Sequence, residues 1–219
     1  MSPTAIQLLV LAAIAVFLVI RLRNVLGTRD GFEPRRDAQA PAPEPKKPTF
    51  DVIEGGIDPD VADHVDIDSR AGQALIQMKA LEPDFMVGDF LGGARQAYEM
   101  ILMAFEGDDL ETLESLLSED VYDSFKSVID ERQKNGLKVE ASFIGVRELK
   151  LSDAMLDPAN NEAEITIKFI GELVSAVRNE AGEVVEGDTS TIKKQKDVWT
   201  FARVMGSDDP NWRLVATGE

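Results

Sequence analysis

The hydrophobic pattern of this chain changes its period at Gly136, and that change limits the folds available to it. Before Gly136, apolar residues recur every three or four positions, most clearly in residues 89–106, as on one face of an α-helix. After Gly136, apolar and polar residues alternate, as in residues 163–169, which is typical of a half-buried β-strand. Helices followed by an antiparallel meander predict an α+β domain with the helices packed against one face of a single sheet.

Turn and capping signals divide both halves into elements. The first half is expected to form helices at residues 70–82 and 89–106, a short helix after Asp109, and another that Ser118 caps and Gly136 ends. The second half is expected to form a strand bent near Gly145, a strand from Ala163 towards Arg178, and strands at residues 192–205 and 212–217. Roughly 150 residues are enough for one hydrophobic core, so residues 69–219 are predicted to be one domain.

The N-terminal region carries a different signal, an uncharged stretch over residues 3–20. As a helix it would be about 27 Å long, close to the hydrocarbon thickness of a bilayer. Its apolar side chains include Ile6, Leu9, Leu11, Phe17 and Ile20. A cleaved signal peptide is the alternative, but no basic residue precedes the stretch and the one Ala-x-Ala-like site lies inside it. Residues 1–27 are therefore expected to form a retained transmembrane anchor with its basic flank.

Charge is distributed unevenly along the chain. The whole sequence has a formal net charge of −17, but residues 48–219 alone carry −20, and five arginines lie between residues 21 and 36. Arg21, Arg23 and Arg29 follow the apolar stretch, and short basic flanks stay on the cytoplasmic face of a membrane. The N-terminus is thus expected outside and the acidic body in the cytoplasm. The acidity of the body argues against a nucleic-acid partner.

Residues 28–68 are expected to be a disordered tether. Five prolines between residues 31 and 48, among alanine and charged residues, favour a semi-extended chain. Residues 50–68 contain seven carboxylates interleaved with aliphatic residues. Two interpretations of this acidic stretch stay open, a disordered extension of the tether or a docking segment for a basic partner. Its acidic residues do not match the spacing of a calcium-binding loop.

No motif in the sequence indicates catalysis. The chain has no cysteine, which excludes a thiol nucleophile and a zinc–thiolate site. Its one histidine, His64, lies in the acidic stretch, far from any serine–glycine elbow. Carboxylates are abundant, but no spacing singles out a pair for acid–base chemistry. We therefore expect no enzyme activity, no metal and no cofactor.

Aromatic residues are the strongest candidates for a binding site in the body. Those at core-facing positions include Tyr98, Phe105, Trp199, Phe201 and Trp212. The simplest interpretation is an aromatic core. A concave sheet covered by helices can also leave a pocket, so the alternative is that some of these rings line a site for an apolar ligand or for a side chain of a partner.

An ordered set of short motifs resembles the Tim44-like family, which comprises the C-terminal domain of the import-motor anchor at the mitochondrial inner-membrane translocase and bacterial inner-membrane relatives. The motifs run from about residue 70 to residue 217 and are Phe90-Leu91-Gly92-Gly93-Ala94-x-x-x-Tyr98-Glu99, Ala104-Phe105-Glu106-Gly107-Asp108, Leu116-Leu117-Ser118, Val121-Tyr122, Asp197-x-Trp199-Thr200-Phe201-x-Arg203 and Asp209-Pro210-Asn211-Trp212-x-Leu214-x-Ala216-Thr217. The resemblance implies a cystatin-like or nuclear-transport-factor-like fold with a curved antiparallel sheet.

The same resemblance implies a non-enzymatic tether at a membrane translocase. Together with the predicted anchor, it suggests an adaptor held in a bacterial inner membrane, whose cytoplasmic domain binds partner proteins in protein translocation or membrane-protein assembly. The mitochondrial protein has a long charged region that holds the motor chaperone and the pore, and here residues 3–20 and a short tether stand in its place. The alternative function is that of a lipid- or small-molecule-binding domain with an aromatic-lined pocket.

Overall fold

The computed structural model of the chain describes residues 58–218. The helices are α1 (Pro59–Ala62), α2 (Arg70–Leu81), α3 (Val87–Glu106), α4 (Leu110–Leu116) and α5 (Glu119–Lys134). The strands are β1 (Lys138–Asp157), β2 (Glu162–Arg178), β3 (Val184–Val204) and β4 (Arg213–Gly218). The predicted anchor and residues 28–57 of the predicted tether lie outside the described residues. Among the helices of residues 58–218, none combines the length and apolar composition that crossing a bilayer requires.

The strands form one antiparallel sheet in the order β1-β2-β3-β4, which confirms the predicted α+β class. β1 shifts its register against β2 at three places, one of them between Phe143 and Gly145, as predicted for a bent strand. In β2 the side chains of Ala163, Ile165 and Ile167 are fully buried and alternate with partly exposed polar ones. The sheet therefore has one face in the core and one face in solvent.

The helices cover the inner face of this sheet. α2 and α3 pack against β1, while α4 and α5 pack against β4. Leu75 and Met78 of α2 and Ile101 of α3 are fully buried in the same core as the inner face of β2. α3 comes so close to β2 that a Cβ added at Gly171 would lie 2.6 Å from the hydroxyl oxygen of Tyr98.

β3 begins earlier than its sequence indicates. The alternation predicts a start at Ile192, whereas the strand starts at Val184. The backbone at Gly187 has φ = 78°, and the Asp188 carboxylate accepts N–H bonds from Ser190 and Thr191. These features form an irregular bulge in which the strand leaves and rejoins its pairing with β2, so the strand continues across residues whose pattern predicts a turn.

Residues 58–68 also differ from the predicted disordered tether. They contain α1, and the side chain of Val61 is fully buried in the core. At the end of this segment, Gly72 of α2 lies so close that an added Cβ would be 2.4 Å from the carbonyl oxygen of Asp66. Its many carboxylates give this segment the composition of a solvated chain. One buried apolar side chain, that of Val61, and two ion-paired carboxylates nevertheless hold the segment against the helices.

Candidate functional site

The aromatic residues proposed from the sequence lie in the core or at its edge. Tyr98, Trp199 and Phe201 have at most 3% of their surface exposed, whereas Phe105 and Trp212 are half-buried. Four of the five belong to a continuous chain of ring contacts that runs through Phe90, and Phe105 pairs separately with Phe125. At these positions the rings therefore pack on one another as a core.

Tyr98, in the middle of α3, is the polar group of this aromatic core. Its ring stacks on Phe169 with centroids 4.3 Å apart, and its hydroxyl donates a 2.6 Å hydrogen bond to Oδ2 of Asp197 on β3. Gln195 donates to the other carboxylate oxygen. Burial raises the pKa of Tyr98 well above its ordinary value, and the neighbouring Asp197 raises it further. The hydroxyl stays protonated and fixes α3 to the inner face of β3.

Trp212 closes the core beside the N-terminal end of α3. Its ring lies 4.7 Å from that of Phe90, and the Arg203 guanidinium lies 5.3 Å from its centroid. Arg203 pairs with Glu82, which also accepts the N–H of Gly206. Burial alone would raise the pKa of Glu82, but the Gly206 N–H and Arg203 hold it below its ordinary value. These contacts join the end of α2 to the β3–β4 connection.

A second cluster of charges lies at the C-terminal end of α3. Arg132 of α5 donates to Glu106 at 3.1 Å and to the carbonyl of Phe105, and its guanidinium carbon lies 4.3 Å from the centroid of the Phe105 ring. Asp108 is 3.5 Å from the same guanidinium. Burial raises the pKa of Glu106, and Arg132 counters this effect without cancelling it. A carboxylate here is held in a poorly solvated position.

Glu106 also faces a groove of about 450 Å³ between the end of α3 and the first half of β1. The groove is lined by Met103, Glu106, Gly107, Val139, Glu140, Ala141, Ser142, Val174 and Thr189. None of the five predicted aromatic residues belongs to this lining. Its two carboxylates are already paired, Glu106 with Arg132 and Glu140 with Arg178 at 2.9 Å. The groove is therefore a mixed surface whose charges are compensated from within the domain.

A third cluster lies at the N-terminal end of α3, where the segment before α2 meets it. Asp60 accepts hydrogen bonds from the backbone N–H groups of Val87 at 2.8 Å and Gly88 at 3.0 Å. Lys79 Nζ lies 2.9 Å from carboxylate oxygens of both Asp60 and Asp58. Burial alone would raise the pKa of Asp60, but its bonds from Lys79 and the two N–H groups hold it below its ordinary value. A carboxylate at this end of the helix is well accommodated.

Sequence reasoning missed all three charged clusters because each joins residues far apart in the chain. Asp60 and Val87 are 27 positions apart, and Arg132 and Glu106 are 26 apart. One local signal did exist for the third cluster. Asp58 followed by Pro59 is a helix-start pattern, and Asp58 does cap α1 through the N–H of Asp60 at 3.0 Å.

The other predicted residues, those of the anchor and of its basic flank, are not among the residues that the structure describes. The anchor residues Ile6 to Ile20 and the topology determinants Arg21, Arg23 and Arg29 lie outside residues 58–218. Within residues 58–218, no group of three or more acidic or histidine side chains is arranged to hold a metal ion.

The domain is thus an α+β unit with a filled aromatic core and charged clusters at both ends of its longest helix. The family model of the Tim44-like domain matches residues 71–219, which is more than half of the sequence. The chain therefore belongs to the Tim44-like family, as the motifs predicted.

Two curated relatives are mitochondrial. The chain is 25% identical over 144 residues to mitochondrial import inner membrane translocase subunit TIM44-1 of Arabidopsis thaliana, covering 63% of this chain and 30% of the relative. It is 28% identical over 150 residues to subunit TIM44 of Homo sapiens, covering 67% of this chain and 33% of the relative. The chain thus spans about a third of the length of the curated relatives it matches.

Among solved structures, the domain is similar to an NTF2-like protein of unknown function in nutrient uptake from Rhodospirillum rubrum. The identity is 21%, the TM-score is 0.29, and the match covers 55% of this chain and 91% of that one. This TM-score is too low to establish a shared fold. The more specific expectation of a cystatin-like or nuclear-transport-factor-like fold therefore stays a prediction.

Proposed function

We propose that this protein is a membrane-anchored, non-enzymatic adaptor whose Tim44-like domain binds partner proteins at a bacterial inner membrane, in protein translocation or membrane-protein assembly. The observation that carries the proposal is the family match, which extends over nearly all of the folded domain. The relatives from Arabidopsis and human are named as subunits of an inner-membrane translocase. Because the match covers only about a third of those proteins, the whole activity of the relatives is not transferred.

Two features of the sequence support anchoring. Residues 3–20 carry no charge, and five arginines follow them before residue 37. This arrangement favours a single span with its N-terminus outside and the domain in the cytoplasm. The domain itself is acidic, so an anionic leaflet repels it and favours contact with proteins over contact with lipid.

The packing of the domain supports a binding role over a catalytic one. The aromatic side chains contact one another, and the hydroxyl of the buried Tyr98 is hydrogen-bonded to the partly buried Asp197 within the domain. Exposed apolar side chains are instead found on the surface, including Leu81 and Met86 near the start of α3 and Ile192 on β3. We take these exposed apolar side chains as the candidate contact points for a protein partner.

Topology is tested with a reporter fused after Glu219 in a bacterial host. A reporter active only in the cytoplasm should give signal, and the chain should stay with the membrane through alkaline carbonate washing. Replacing Arg21, Arg23 and Arg29 with Glu provides the matched control, because it removes the topology signal and leaves the apolar stretch unchanged. Periplasmic activity of the unaltered fusion, or an N-terminus that begins near Ala15 or later, would contradict the anchored topology.

Partner binding is tested by crosslinking in cells. A photoreactive residue is placed at Met86 or Ile192, which are exposed, and at Asp130 on α5 as a control on a charged surface. The adaptor role predicts that Met86 or Ile192 captures components of a translocation or membrane-protein assembly machinery and that Asp130 does not. If all three positions capture only abundant cytoplasmic proteins in equal yield, the adaptor role is wrong.

A further inference from the structure

The N-terminal end of α3 lacks a cap of its own. The residue at the N-cap position is Met86, whose side chain makes no capping hydrogen bond. Asp60 supplies the cap instead, through the bonds from Val87 and Gly88 described above. The cap of the longest helix is therefore carried on a separate segment, residues 58–68, which we call the strap.

Few contacts hold the first part of the strap. Asp60 and Asp58 share Lys79, whose side chain is 15% exposed, and Val61 is the one fully buried side chain of α1. Pro59 and Ala62 on either side are exposed. A helix of four residues has no stability of its own, because the cost of nucleating it is not recovered over one turn. α1 is thus formed only while Asp60 and Val61 are in place.

The end of the strap is held differently. The carbonyl of Ile67 accepts a 2.9 Å hydrogen bond from Gln73, and the backbone of Asp66 and Ile67 lies directly against Gly72. This end is fixed by close backbone packing on α2. The other end continues into residues 1–57. A pulling force on those residues therefore acts first on the end of the strap that Asp58 and Asp60 hold.

We propose that residues 58–68 act as a releasable strap: residues 58–65 lift together from the Asp58 end, while the end at Asp66 and Ile67 stays on α2 and the rest of the domain stays folded. Lifting removes the cap of α3, melts α1 and uncovers the apolar slot that Val61 fills. Segments with few buried apolar contacts are the ones that open locally below the free energy of global unfolding. This inference deepens the proposed adaptor role, in which the upstream chain is the anchor, but its test needs no partner and no membrane topology. Either can fail without the other.

The test uses the absence of natural cysteine from the full chain. The single variant Val61→Cys places a buried thiol under the strap, and Ala163→Cys places one in the sheet, where the native residue is also fully buried. In the detergent-solubilised full chain, a thiol reagent should label Val61→Cys at least about tenfold faster than Ala163→Cys. Adding Asp60→Asn should accelerate labelling of Val61→Cys about tenfold, and Val61→Cys should remain the faster of the two variants. Adding Asp63→Asn, which alters an exposed strap carboxylate, should change neither.

Hydrogen exchange of the unaltered chain gives a second readout that does not depend on how Val61→Cys folds. After correction for intrinsic exchange rates, the N–H groups of His64 and Val65, bonded to the Val61 carbonyl, should show the same protection as those of Val87 and Gly88 and less protection than that of Ile165 in β2. Equal labelling of the two cysteine variants would show that the slot opens only with global unfolding, and labelling of Val61→Cys that does not respond to Asp60→Asn would show that Asp60 does not hold the strap; either result would overturn the proposal. Fast exchange at Val87 and Gly88 with full protection at His64 and Val65 would overturn it as well.

Discussion

The two ends of α3 each hold a carboxylate in a charged cluster, yet the two carboxylates respond to burial in opposite ways. At the N-terminal end, the pKa of Asp60 is held below its ordinary value. At the C-terminal end, the pKa of Glu106 is raised. Each carboxylate forms an ion pair with one cation, Asp60 with Lys79 and Glu106 with Arg132. Burial outweighs the ion pair at Glu106, whereas the hydrogen bonds that Asp60 accepts together outweigh its burial.

The helix contributes to this difference at its N-terminal end. Its first N–H groups point out of the N-terminal end and carry partial positive charge, and Asp60 accepts hydrogen bonds from two of them. Its last carbonyls carry partial negative charge at the other end, where Glu106 accepts its hydrogen bond from Arg132 and from no other described group. One helix thus stabilises an anion at its start and disfavours one at its end, so Arg132 has to compensate both Glu106 and the carbonyl of Phe105.

The largest effect is expected on removing that compensation. Arg132→Met keeps most of the aliphatic volume but leaves Glu106, Asp108 and the Phe105 carbonyl without their shared cation. Because breaking a buried ion pair strands the remaining charge, we expect a loss of about 3 kcal/mol in the free energy of unfolding. Urea denaturation at pH 7 measures it.

The matched control is Lys126→Met on the same helix, whose ion pair with Asp130 is exposed and should leave the denaturation midpoint unchanged. If Arg132→Met behaves like this control, the C-terminal cluster contributes nothing to stability, and the contrast between the two ends of α3 is not energetic.

The middle of α3 tests packing where no ion pair contributes. Gly171→Ala would place its Cβ 2.6 Å from the Tyr98 hydroxyl oxygen and 2.9 Å from a ring carbon. Since the Tyr98 ring is stacked on Phe169 and cannot move freely, we expect a loss of about 2 kcal/mol in the free energy of unfolding.

Tyr98→Phe distinguishes the two contacts of the Cβ added by Gly171→Ala, one with the Tyr98 hydroxyl and one with its ring. In a double-mutant cycle, Tyr98→Phe should recover part of the loss caused by Gly171→Ala, because it removes the hydroxyl and leaves the ring. Complete recovery would place the whole conflict at the hydroxyl, and additive losses would show that the Cβ clash is relieved by movement of the backbone instead.

The sequence predicted the parts of the domain that depend on local pattern. The period change at Gly136, the helix start at Ser118 and the bend near Gly145 each involve neighbours in the chain, and the structure changes from helix to strand, begins a helix and shifts the register of β1 at these places. The early start of β3 was missed because residues 179–187, around Gly182, have the pattern of a turn, while the backbone already pairs with β2 from Val184, bulges near Asp188 and then pairs again.

The charged clusters at the ends of α3 could not be predicted from the local sequence pattern. An aspartate in an acidic stretch has the composition of a solvated chain, and only the position of Val87, 27 residues later, makes Asp60 a helix cap. Met86 is the one sign of this cap in the sequence, because its side chain cannot cap the helix that follows it. A long amphipathic helix that begins without a capping residue needs a hydrogen-bond acceptor from elsewhere in the chain. The aromatic residues were identified as core-facing, but which rings contact which depends on the crossing of α3 over the sheet.

A smaller effect, with a distinctive pH dependence, is expected at the N-terminal end. Asp60→Asn keeps an oxygen acceptor but loses the charge that Lys79 and the helix end favour, so we expect a loss of about 1–2 kcal/mol at pH 7. Because the folded protein holds the pKa of Asp60 below 3.8, the contribution of the carboxylate is present above that pH and disappears as the pH falls through the lowered value. Urea denaturation between pH 7 and pH 3 should show the two stability curves converging on the acidic side, whereas a constant gap would mean that the charge is not involved.

The smallest expected effect has the opposite sign. The pKa of Glu106 is raised above 4.5 in the folded protein, so the folded state binds its proton more readily than the unfolded state does. Over the pH range between those two values, stability therefore increases as the pH falls. Glu106→Gln mimics the protonated form and should leave the free energy of unfolding at pH 7 unchanged or higher by less than about 1 kcal/mol. The gap between variant and parent should close as the pH falls towards 4.5, where the parent carboxylate becomes protonated. A destabilised Glu106→Gln at pH 7 would mean that Arg132 favours the charged carboxylate more than burial and the helix end oppose it, and the two ends of α3 would then be alike.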